Sequence, residues 1–61
     1  MTPDQERWAE ALAIDRAHGL MAPAVIGERI RSLLLAGDQA GVARWREIAA
    51  RYDQLRGGTV Q

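Results

Sequence analysis

Glycines at positions 19, 37 and 57–58 cut this chain into three stretches, and each stretch carries apolar residues at helical spacing. That punctuation restricts the fold more than any other feature. Glycine readily takes the left-handed backbone in which helices end. No stretch alternates apolar and polar residues for long enough to make a strand. The pattern predicts an all-α chain with helices near 3–18, 23–36 and 39–55. Short connections make successive helices neighbours, so a compact three-helix bundle is expected, with an αα-hairpin crossed by the first helix as a variant. The single helical domain would span 1–56, with 57–61 as a flexible C-terminal tail.

Local signals support each boundary. Thr2 is an N-cap, Pro3 suits the first helical position, and Gln5 completes a capping box. Asp4 and Glu6 lie where the helix dipole favours negative charge. Pro23 is the expected first residue of the second helix. Gly37 stops that helix and Asp38 caps the third. The expected apolar faces are Trp8, Ala11, Leu12 and Ile14; then Val25, Ile26, Ile30 and Leu33; then Gly41, Val42, Trp45, Ile48, Ala49, Tyr52 and Leu55. Gly27 falls on a flank, where its missing side chain would allow a close helix approach. Glu47 and Arg51 have the spacing of a favourable i,i+4 pair.

Composition limits the chemistry. With 61 residues and no Cys, the chain has neither a disulfide nor a thiolate metal site to reinforce a small core. Below about 70–80 residues a single core rarely supplies more than about 3–5 kcal/mol, which leaves efficient packing and self-association. Eight basic and eight acidic residues cancel, so no net field draws the chain to nucleic acid or a membrane surface. All the basic residues are Arg. The only His, His18, falls at a helix end, and the only Ser, Ser32, has no evident base. Gly37 and Gly41 lack the Lys and the preceding strand of a phosphate loop. No catalytic residue, cofactor or metal site is expected, and the protein is read as a non-enzyme.

Two groups of side chains stand out. Asp15 and Arg29 both project towards the apolar sides of their helices. The expectation is a structural ion pair between the first two helices, with His18 as a local alternative partner for Asp15. Leu33, Leu34 and Leu35 make the end of the second helix apolar nearly all round. A single small bundle would have difficulty covering them together with Val42 at the edge of helix three. Leu34 and Leu35 are therefore the candidate interface of a homodimer; Trp8, Trp45 and Tyr52 are read as core aromatics, with Trp45 and Tyr52, two turns apart on helix three, as the further candidates for an interface.

The stretch from Leu35 through Ala36-Gly37-Asp38 to Trp45 is similar to the inter-helix turn of tetratricopeptide units, which implies a hairpin geometry and no function. Taken whole, through Trp8-Ala9, His18-Gly19, Glu28-Arg29-Ile30, Ala36-Gly37-Asp38 and Ala43-Arg44-Trp45 to Ala49-Ala50-Arg51, the chain resembles a small uncharacterised helical family of alphaproteobacteria, mostly sphingomonads. The resemblance implies a bacterial source and carries no site residue. The function expected is a self-associating protein-interaction module in the cytoplasm. The alternative is a small DNA-binding regulator using the mildly basic third helix. The start of the chain lacks the basic segment and apolar stretch of a secretory signal.

Overall fold

The protein is described by a computed structural model covering residues 2–57. Met1 and most of the expected tail, residues 58–61, lie outside the described residues. The elements are α1 (Pro3–His18), a 3₁₀ turn (Gly19–Met21), α2 (Ala22–Leu35) and α3 (Gln39–Leu55). The fold is all-α, and no strand occurs among the described residues.

The helix ends follow from local chemistry. The Thr2 side chain accepts from the Gln5 backbone N–H at 3.1 Å, and the Thr2 N–H donates to the Gln5 carboxamide at 2.9 Å. Together they close the capping box. At the other end of the bent arm, Gly37 has φ +75°. The Asp38 N–H donates to the Leu33 carbonyl and the Gly37 N–H to the Leu34 carbonyl, a Schellman motif. The Asp38 carboxylate then accepts from the Gly41 N–H at 2.9 Å. One residue thus closes α2 with its backbone and opens α3 with its side chain.

Gly19, expected to separate two helices, does less than that. Its φ of +53° caps α1, but the chain passes straight into the 3₁₀ turn and α2 starts at Ala22, one residue before Pro23. Residues 3–35 are one helical path with a bend. The expectation of three mutually packed helices is corrected accordingly. Both arms pack mainly on α3 and touch each other far less.

The two arms meet α3 differently. α2 runs antiparallel to it: Leu33 abuts Gly41, Arg29 lies over Trp45, and Ile26 shares a surface with Tyr52. α1 does not follow a simple register. Asp4 pairs with Arg51, Arg7 with Glu47, Glu10 with Arg44 and Asp15 with Arg56. That order requires α1 to lie across α3, which matches the crossed-hairpin variant. The core sits where the elements converge, at Ala11, Ala22, Ile26, Ile48 and Tyr52, with Ile14, Ile30, Trp45 and Ala49 packed around it. Val42 is also buried, so the bundle itself covers the residue expected to be surplus.

The glycines separate by environment. A Cβ at Gly27 would meet nothing within 4 Å, so no element of this chain makes a close approach there. The close approach is at Gly41, where a Cβ would stand 2.6 Å from the Asp38 carboxylate and 3.0 Å from Leu33 Cδ2. Gly41→Ala is expected to destabilise the fold. Displacing the Asp38 cap costs about 0.5–2 kcal/mol, and pushing Leu33 off its seat adds an overpacking cost of about 1–3 kcal/mol, which together exceed the up to about 1 kcal/mol of helix propensity regained. Gly27→Ala keeps only the propensity gain and should stabilise by about 0.5–1 kcal/mol. Urea midpoints of the two variants on either side of the parent check this contrast; midpoints shifted in the same direction would refute it.

Candidate functional site

The divergence of α1 and α2 from their bend leaves an open cleft of about 490 Å³ over α3. Glu10, Ile14, Arg29, Leu33, Asp38 and Trp45 are among its lining residues. Its charged groups are already engaged. Glu10 accepts from both Arg44 and Arg7. Arg29 stacks on the Trp45 ring with its guanidinium carbon 5.5 Å from the centroid, and Asp38 caps α3. No two of these residues form a nucleophile and base or an acid–base pair free to act on a substrate. Among the described residues no group of three or more His, Cys, Asp or Glu side chains is placed to hold a metal ion. No described helix is long and apolar enough to cross a membrane.

The Asp15–Arg29 pair expected from the sequence is replaced by two other contacts. Asp15 accepts from Arg56 at 3.3 Å, and Arg29 turns onto Trp45. Because α1 crosses α3, its Asp15 end reaches the end of α3 instead of the middle of α2. The Arg56 side chain is 50% exposed. Asp15→Asn should therefore cost no more than about 1 kcal/mol, as opposed to the several kcal/mol of a broken buried pair. A thermal melt showing a loss of several kcal/mol would refute this. The expected Glu47–Arg51 pair is likewise exchanged for cross-helix partners. Arg7 Nε donates to Glu47 at 2.9 Å, and Arg51 Nε donates to Asp4 at 2.9 Å while stacking on Trp8.

These contacts give α1 a distinctive attachment. The helix is only weakly amphipathic, and Ala11 is its one buried residue. Its half-buried Trp8 and Ile14 flank Ala11, and a row of cross-helix ion pairs borders them. The hydrogen bond from Arg44 is the main cause that holds the Glu10 carboxyl below its ordinary range; the charge of Arg44 and the contacts with Arg7 add to it, and burial opposes it. A lowered folded pKa means a contribution present above the unfolded value, about 4.5, and lost as pH falls through the folded value. α1 should loosen in that acid window, and Glu10→Gln should weaken the dependence. Trp8 fluorescence against pH measures it; identical acid transitions in parent and variant would count against the assignment.

The candidate interface residues divide into two sets. Tyr52 belongs to the core, as its place on the apolar face predicts, and its alternative role at an interface falls away, while Trp45 is half-buried beneath Arg29. Leu34 and Leu35 do face solvent, at 56% and 79% exposure. They are joined by two residues that sequence reasoning treated only as a connection, Leu20 at 87% and Met21 at 62%. Two large apolar side chains directly after a helix-stopping glycine were the available signal.

Residues 3–58 match the family of unknown function DUF6961, and the chain belongs to that family. No curated protein and no solved structure matches it.

Proposed function

We propose that this protein is a non-enzymatic interaction module that associates with a second copy of itself. The observation that carries the reading is the exposure of Leu20, Met21, Leu34 and Leu35 at the two ends of α2. Large apolar side chains left outside so small a core favour a protein interface. The cleft adds support, since its polar groups are engaged within the fold. On this reading the module is bacterial and cytoplasmic, as its resemblance to an alphaproteobacterial family suggests.

The alternative of a DNA-binding regulator loses its main support. Arg44, Arg51 and Arg56 form ion pairs with Glu10, Asp4 and Asp15 of α1, so much of the basic character of the third helix is neutralised inside the molecule.

Sedimentation equilibrium from low to high micromolar concentration tests the proposal. A mass rising from one chain to two is expected. A mass of one chain throughout would overturn self-association. Salt-sensitive binding of random duplex at micromolar protein would favour the DNA reading instead.

A further inference from the structure

We infer that two copies of this chain pair by exchanging α1, each arm leaving its own α3 and docking on the α3 of the other copy. This rests on the self-association proposed above and names the segment that is shared. The apolar phase of the chain carries the argument. Ala22 follows Ala11 by eleven residues, about three helical turns. The buried Ala11, Ala22 and Ile26 and the half-buried Trp8 and Leu33 therefore fall on one side of an uninterrupted helix. The stripe passes through the bend without a change of phase.

Only a short hinge interrupts that path. Gly19 departs furthest from helical geometry, at φ +53° and ψ −124°, and His18 departs less, at φ −123° and ψ −14°. Met21 and Ala22 already lie in the right-handed helical region. Pro23 has no N–H to donate to the Gly19 carbonyl, so the opened path keeps a kink there and is helical on both sides of it.

The contacts that α1 gives up on opening are made again in the dimer. Asp4 with Arg51, Arg7 with Glu47, Glu10 with Arg44 and the seat of Ala11 all join α1 to the rest of the chain. A second copy offers the same partners, and symmetry forms the set twice. The exchange also accounts for Met21, which is 62% exposed in the bend. On an uninterrupted helix Met21 comes seven residues after Ile14 and four before Val25, at the edge of the apolar stripe. There it is covered where the two opened paths pass each other.

Gly19→Ala in the full chain tests the hinge. A Cβ at Gly19 would meet nothing within 4 Å, so the substitution acts through the backbone alone. It strains the positive φ of the closed bend and favours the opened helix, by about tenfold or more per chain. Two bends open in each dimer, so association read by sedimentation equilibrium should tighten by about a hundredfold.

A mixing experiment gives an independent readout. Glu10→Arg and Arg44→Glu each set like charges between α1 and α3. In a closed chain, or in a dimer of closed chains, mixing the two variants restores nothing. With α1 exchanged, the heterodimer pairs Arg with Glu at one site and regains the parent's pair at the other. The mixture should therefore associate at least about tenfold more tightly than either variant alone. The double variant restores the pair within one chain, and its helical circular dichroism should match the parent's. A dimeric parent that Gly19→Ala leaves no tighter, with no preference for heterodimers on mixing, would overturn the exchange while leaving self-association intact. A monomeric parent would overturn both.

Discussion

Ile48→Ala is expected to leave the chain largely unfolded at room temperature. Ile48 is the largest fully buried side chain, at 1% exposure, and it belongs to the cluster joining α1, α2 and α3. Truncating a buried Ile to Ala costs about 2–5 kcal/mol through lost transfer energy and the cavity left behind. A core in a chain this short rarely supplies more than about 3–5 kcal/mol, so the loss is comparable with the whole stability. Helical circular dichroism against urea measures it. Ile48→Val, which removes one methyl group, should cost only about 0.5–1.5 kcal/mol and remain folded. A folded Ile48→Ala chain with a midpoint close to the parent's would show that the core lies elsewhere.

Ala11→Leu should release α1 from α3. Ala11 is completely buried, and it is the only buried residue of its helix. A close-packed site of this kind accommodates extra methylenes only by moving a helix or forcing strained rotamers, at about 1–3 kcal/mol. Here the cost extends beyond the contact. Moving α1 also unseats the half-buried Trp8 and Ile14 and separates Asp4 from Arg51, Arg7 from Glu47 and Glu10 from Arg44. The expected result is an early loss of Trp8 packing, visible as a red shift in fluorescence, while the α2–α3 hairpin retains helix. Leu12→Ala makes the control, since Leu12 is 38% exposed and should be far less sensitive. Equal and small effects at both positions would contradict the packing described.

The behaviour of α1 also explains which sequence readings succeeded. Its start was legible because Thr2 and Gln5 bond to each other's backbones across three residues. The Gly37–Asp38 turn was legible for the same reason. The Asp15–Arg29 pairing was not. It assumed that consecutive helices lie side by side, whereas a bent path lets α1 cross α3 and deliver Asp15 to Arg56. Glu47 and Arg51 have good spacing for each other, yet both take partners on α1, where Arg7 and Asp4 come within 3 Å. Gly41 lies on the apolar face of the third helix and Gly27 on a flank of the second, yet the close approach expected at Gly27 is found at Gly41, because α2 packs its Leu33 there.

The sequence by itself determined that the chain is helical and placed the capping box at Thr2 and the turn at Gly37–Asp38, while the junction at Gly19 proved a bend in one path. Caps, glycine stops and apolar periodicity act over a few residues, and each carries its physical cause with it. Tertiary structure alone decided which charges meet, that Val42 is covered by the bundle, and that Leu20 and Met21 stay outside. The charge partners depend on how α1 lies across α3 ahead of the bend at Gly19–Met21. Ala11, Ile48 and Tyr52 come together in one core cluster there, and contacts among residues so far apart in the chain are encoded by no short-range spacing.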